Sequence, residues 1–123
     1  MTVERRQRAF RKGRLAESLC ALMLMFQGYR IVAQRLRSPV GEIDILARRG
    51  KTLAIVEVKA RPTQQAAAES VTGRQRARLI QAAQWLIAGR PEFAALEIRF
   101  DVMLVSPWRM PKHIVDAWRI DLV

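Results

Sequence analysis

The chain has 123 residues, a length that fits one domain over 1–123 and can bury a core without disulfide or metal staples. Hydrophobic residues make up 50% of it, which excludes general disorder, and the single Cys20 excludes an internal disulfide and a thiolate zinc site. With 22 Lys and Arg against 11 Asp and Glu, the formal net charge is +11 and the pI near 11.5, so the simplest partner is a polyanion, nucleic acid foremost, with a solvated basic face or anionic lipid as alternatives.

From about Glu4 to Gln27 the pattern is helical. Leu15, Leu19, Leu22 and Phe26 recur at steps of three and four and predict a buried face, with Glu17 off its centre. Gly28 is a natural stop. The run from Leu19 to Phe26 loosely mimics a signal peptide, but Glu17 interrupts the approach and no small-residue cleavage site follows. It is also too short for a bilayer, which takes ~20 apolar residues. No membrane partner is expected, and the lone cysteine, read as a buried small hydrophobe, suits a reducing cytoplasm.

Tyr29 to Arg37 reads as a first strand with Ile31, Ala33 and Leu36 inward, broken by Ser38-Pro39. Gly41 to Arg48 alternates as a half-buried strand, and Arg49-Gly50-Lys51 marks a hairpin turn. Lys51 to Arg61 is next; its continuous apolar start predicts a central strand covered on both faces. Thr63 to Ser70, polar and Ala-rich, reads as a mobile loop. Thr72 is the N-cap of a helix from about Gly73 to Ala88, with Leu79, Ala82, Ala83 and Leu86 inside and Gly89 and Pro91 closing it. Leu96 to Val105 and His113 to Leu122 are the last strands, the second at an edge. No internal repeat or long linker appears. The order predicts an α/β layer fold with a mixed sheet, an antiparallel front and a helical crossover.

Two features carry chemistry. Strand alternation puts Glu57 and Lys59 on one face, at the point where an apolar strand emerges. A hairpin centred near Gly50 brings Asp44 opposite Glu57. Two carboxylates can hold Mg²⁺ or Mn²⁺, hard ions that prefer oxygen, while the lysine orients water or offsets charge on a phosphoryl group. The plainer reading is a same-face salt pair between Glu57 and Lys59, with Asp44 a surface carboxylate. Both stay open on spacing alone.

Taken together, Glu17, Gly41-Glu42-Ile43-Asp44 and Val56-Glu57-Val58-Lys59-Ala60-Arg61 resemble the signature of the YraN-like family of small predicted endonucleases. Gly28-Tyr29-Arg30-Ile31 and Val71-Thr72 fit as well, so the resemblance runs from about Arg11 to Leu86. That family is similar in pattern to Holliday-junction resolvases and to the wider restriction-endonuclease-like fold. The resemblance implies a central mixed five-stranded sheet flanked by helices, with the metal held by Asp44 and Glu57. It implies Glu17 as a further acidic contributor from the helix, Lys59 as the catalytic lysine, and structured or branched DNA as substrate. Departures are Arg35, where the first strand usually carries Asn, and Gly73 and Gln75, where Pro and then Lys often open the later helix.

Two basic clusters are candidates to grip phosphates: Arg5, Arg6, Arg8, Arg11, Lys12 and Arg14, and then Arg74, Arg76 and Arg78 at a helix start. A solvated basic face is the alternative. Recognition by backbone and shape is expected, since nothing suggests base readout. His113, the only histidine, reads as a strand-surface residue and leaves no partner for a His-based triad or zinc site. Trp85, Trp108 and Trp118 are candidates to stack on bases, with the plainer reading that Trp85 is core and Trp108 and Trp118 cap the sheet edge; Asp101 reads as structural or supporting. A resolvase-like cut of two strands suits a two-fold homodimer, for which Trp108, Met110 and Trp118 are apolar candidates. The favoured expectation is a metal-dependent endodeoxyribonuclease. The alternatives are a non-catalytic nucleic-acid-binding module and a basic adaptor for protein or membrane.

Overall fold

In the computed structural model, which describes residues 2–118 and their side chains other than those of residues 4–12, helix α1 spans Val3–Phe26. It stops where the sequence predicts. Gly28 adopts φ +91, and the amides of Gly28 and Tyr29 donate to the carbonyls of Met25 and Leu24, a closure that favours a residue without Cβ. Arg49 adds a guanidinium hydrogen bond to the Gln27 carbonyl at 3.0 Å.

Three antiparallel strands follow: β1 (Arg30–Ser38), β2 (Gly41–Arg49) and β3 (Thr52–Ala60). The crossover contains α2 (Gln64–Glu69), α3 (Gly73–Gly89) and a 3-10 turn at Pro91–Phe93. It returns the chain to β4 (Glu97–Val105), parallel to β3, and β5 (Lys112–Trp118) pairs antiparallel on the outer edge. The sheet order is β1-β2-β3-β4-β5, which makes β3 central, as its apolar run requires.

One core cluster sets Leu79, Ala82, Ala83 and Leu86 of α3 against Ile43, Leu46, Leu53, Ile55 and Phe100. A separate cluster sets Cys20, Ala21 and Leu24 of α1 against Ile45, Ala47, Ala54, Val56 and Met103. The result is an α/β architecture with a mixed five-stranded sheet flanked by helices, consistent with the restriction-endonuclease-like fold that the resemblance implies.

Several local expectations are corrected. The stripe Leu15, Leu19, Leu22 and Phe26 faces outward, with Leu15 69% and Phe26 83% exposed. The buried face of α1 is Ala16, Cys20, Ala21 and Leu24 on the opposite side. Both faces are apolar, so periodicity alone could not choose; small residues let the helix lie close on the sheet and win the inner position. Thr63 to Ser70 contains a helix instead of a loop. Thr63 caps it by accepting the Ala66 amide, Gln and Ala are good helix formers, and Ala67 anchors it in the core. Trp85 lies off the Leu79–Leu86 stripe and is nearly half exposed, whereas Trp118 is buried and stacks on Phe100 at 5.5 Å. The last strand is described only to Trp118; its predicted continuation to Leu122 lies outside the described residues.

Candidate active site

The β2–β3 ladder runs from Arg49↔Thr52 to Ile45↔Val56, so Asp44 and Glu57 stand opposite each other at the next step. There the strands part. Asp44 Oδ2 accepts the Val58 amide at 2.8 Å, so a side chain takes over from the backbone ladder. Beside it, Lys59 Nζ lies 3.2 Å from Glu57 Oε1, with the two side chains only 12% and 8% exposed. The salt pair and the shared cleft are thus one arrangement.

Burial and then the neighbouring Asp44 carboxylate push the Glu57 carboxyl up to about 8, although Lys59 opposes this. Asp44 is also raised, chiefly by burial, against the hydrogen bonds it accepts from the Val58 amide and the Glu57 carboxyl. Glu17, on the inner side of α1 between Ala16 and Cys20, is raised by burial and by Asp44. Arg35, for which the sequence suggests no role beyond a departure from the usual Asn, reaches Glu17 with Nε at 3.9 Å from a backbone position at φ +50. That distance is an ion pair without a hydrogen bond, and Glu17 Oε1 is buried with no hydrogen-bond partner among the described residues.

Glu17, Asp44, Glu57 and Lys59 all line one cleft of about 920 Å³. Its remaining wall is mostly apolar, with Leu15 and Leu19 from α1, Pro62, Val105 and Pro107, plus Arg61 and Ser106. Ser106 is buried, and its hydroxyl has no hydrogen-bond partner among the described residues. The sequence marked it only as a strand end, so no local signal pointed to it.

Among the described residues, no three His, Cys, Asp or Glu side chains stand together as a ready-made metal cage. Asp44 and Glu57 form a pair, and Glu17 is held toward Arg35. This donor set still fits Mg²⁺ or Mn²⁺. Such ions use one or two carboxylates and keep waters for the remaining positions. Two desolvated carboxyls sharing a proton, and an orphaned Glu17 oxygen on the same cleft, are the groups a divalent cation would satisfy.

The basic clusters are placed differently. Arg74, Arg76 and Arg78 sit in the first half of α3 and do not line the cleft. Arg78 lies over the β1–β2 turn, where a Cβ on Gly41 would come within 2.6 Å of its Cδ; with φ +152 as well, position 41 requires glycine. Arg14 is close enough to Glu17 to lower its pKa, against the larger effects that raise it. The side chains of Arg5, Arg6, Arg8, Arg11 and Lys12, the other predicted phosphate contacts, lie outside those described.

A second polar cluster lies elsewhere. Asp101 is fully buried and accepts from Arg99 Nη2 at 2.7 Å, and its Oδ1 accepts the Asp116 amide at 3.0 Å. His113 Nε2 lies 2.8 Å from Asp101 Oδ2 and Nδ1 3.1 Å from Gln27 Oε1, while Arg99 also bonds the Tyr29 hydroxyl. Burial would raise Asp101, but the bonds from His113, Arg99 and Asp116 outweigh it and hold the carboxyl down at about 2. His113 is therefore part of a buried clasp tying the end of α1 to β4 and β5, not a strand-surface residue. Its partners come from residues 27 and 101, which strand alternation could not reveal.

Residues 16–105 match the profile of a family described as "Uncharacterised protein family UPF0102". The chain is similar to a UPF0102 protein of Parvibaculum lavamentivorans, 53% identical over 111 residues that cover 90% of this chain and 84% of the relative. It is likewise similar to a UPF0102 protein of Paramagnetospirillum magneticum, 51% identical over 119 residues covering 94% and 92% of the two chains. A UPF0102 protein of Bradyrhizobium diazoefficiens is 53% identical over 110 residues, covering 89% and 83%.

Proposed function

The chain belongs to the uncharacterised family UPF0102, and from that premise we propose that it is a metal-dependent endodeoxyribonuclease that hydrolyses phosphodiester bonds in structured or branched DNA. One observation carries the reading: Glu17, Asp44, Glu57 and Lys59, from one helix and two strands, converge on one cleft. Asp44 and Glu57 are the residues to hold Mg²⁺ or Mn²⁺. When bound, the ion supplies Lewis-acid polarisation of the phosphoryl group and a lower pKa for attacking water.

The chain's own residues do the rest. The Val58 amide fixes Asp44, so its carboxylate needs no reorganisation on binding. Lys59, held at the same mouth by Glu57, is placed to orient the attacking water or to meet negative charge gathering on the phosphoryl oxygens. Glu17, backed by Arg35, supports the acidic side from α1. The +11 net charge draws DNA to the protein; Arg74, Arg76 and Arg78 grip phosphates away from the cleft, and the basic N-terminal run adds further cationic residues for the same backbone. We also propose a homodimer. Trp118 is buried and unavailable to it; the outward stripe of α1, Leu22, Met25 and Phe26, is the better contact surface.

The test is Glu57→Gln, assayed on linear and four-way-junction DNA with Mg²⁺ or Mn²⁺, beside binding in EDTA. Cleavage should disappear while affinity in EDTA stays level at neutral pH and rises slightly above about pH 8, where Glu57 is ionised and repels phosphate. A wild-type protein that binds but cuts none of these substrates would make the chain a non-catalytic nucleic-acid-binding module. Neither binding nor cutting at low salt would end both readings.

A further inference from the structure

Trp108 is the most exposed large hydrophobic side chain among the described residues, at 103% relative exposure. It also sits at φ +62, in the left-handed region that a bulky residue enters only at a steric cost. An isolated domain gains nothing from either feature. The loop that holds it is pinned: Ser106 and Pro111 on either side are buried, and Trp118 beyond closes β5 onto β4. Val105, Ser106 and Pro107, the three residues before it, line the same cleft as Asp44, Glu57 and Lys59. Trp108 therefore stands one residue beyond the cleft's lining, at a strained backbone position, with exposed Arg109 directly after it.

The cleft wall supports one kind of ligand. A site that took only a duplex phosphate backbone would be walled by cations, yet Leu15, Leu19, Pro62, Val105 and Pro107 face this space. Apolar and aromatic surface beside a phosphate site suits a base that has left its stack.

We infer that Trp108 is a stacking platform for an unpaired nucleobase next to the phosphate held in the cleft, so that the protein selects DNA with a branch, flap or gap over uninterrupted duplex. The inference rests on the proposed nuclease site, and it names a positioning residue for the substrate, not a group that takes part in hydrolysis. The indole already pays its exposure and its backbone strain in the free protein, so little is lost on binding and the stacking free energy goes into discrimination.

The experiment compares wild type, Trp108→Ala, Trp108→Phe and Trp108→Gly in EDTA. The probes are a flapped duplex carrying 2-aminopurine at the unpaired position and a fully paired duplex of the same sequence. Wild type should prefer the flapped probe and change its 2-aminopurine fluorescence. Alanine and glycine should lower that preference by roughly tenfold or more, and phenylalanine should keep most of it. Glycine relieves the positive φ, so its melting temperature should be no lower than that of wild type, and a loss of preference there cannot be unfolding. Equal affinity of wild type for the two probes, or an unchanged preference in the alanine variant, overturns the inference and leaves the nuclease reading standing. So does an alanine variant whose only change is in self-association, which would make Trp108 a protein contact. A wild type that binds neither probe overturns both.

Discussion

Glu57 and Asp44 set the energetics of the cleft because neither can ionise comfortably beside the other. The Glu57 carboxyl is pushed up to about 8 from an ordinary 4.5, so between those values the folded chain holds a proton that the unfolded chain has released. Stability linked to Glu57 is therefore fully present below about pH 4.5 and is lost as pH rises through about 8. Glu57→Gln removes that dependence. Melting temperatures of wild type and variant should lie close together at pH 5 and separate by pH 8, the variant higher, a difference on the order of a few kcal/mol at most. Mg²⁺ or Mn²⁺ at pH 8 should raise the wild-type melting temperature, because it replaces the shared proton, and should leave Asp44→Asn nearly unmoved. Parallel melting curves for wild type and Glu57→Gln across this range would show that the pair is solvated and not the strained site described above. Asp101 has the opposite sign. Its carboxyl is held at about 2, so the stability it contributes is present above pH 3.8 and lost only as pH falls through about 2.

Helix α1 has two apolar faces with different duties. Ala16, Cys20, Ala21 and Leu24 bring the helix close to β2 and β3, and that closeness is what lets a residue as short as Glu17 share the cleft with Asp44. Leu24→Ala should therefore cost about 2–5 kcal/mol in urea unfolding, whereas Leu22→Ala, on the exposed face, should stay within about 0.5. The reverse order would mean that the helix is turned about its axis, and Glu17 could no longer reach the site. The β2–β3 hairpin contributes by ending its ladder at Ile45↔Val56. Continued pairing would bury Asp44 in the sheet; replacement of the next backbone bond by the Asp44 carboxylate opens the cleft instead.

At the scale of the whole molecule, charge and apolar surface act in opposite directions. A net charge of +11 keeps copies apart at low salt and attracts DNA, while Leu22, Met25 and Phe26, beyond the cleft, leave an apolar stripe on the outside. Among the described residues no helix is long and apolar enough to cross a membrane. The proposed homodimer should accordingly strengthen with salt or with bound DNA, both of which screen the repulsion. Sedimentation at micromolar concentration should show it for wild type and lose it for Phe26→Asp. A wild type that remains monomeric with and without DNA removes the dimer.

The residues that alternate or repeat were readable in one dimension. The Gly28 stop, the Thr72 cap, the inner stripe of α3, the central place of β3 and the Asp44–Glu57 pairing all follow from local geometry, because helix and strand periods and a two-residue turn leave few choices. What the tertiary structure decided is every question in which two answers were locally equal. The side of α1 that faces the sheet depended on how closely the helix could approach it, the helix at Gln64–Glu69 depended on Ala67 finding a core position, and Trp85 and Trp118 exchanged surroundings through packing. The Glu17–Arg35 pair, the Asp101–His113 clasp and Ser106 join residues far apart in sequence or buried by distant elements. Such contacts leave no periodic trace in the chain, since they exist only once the sheet has closed and set the distances between its elements.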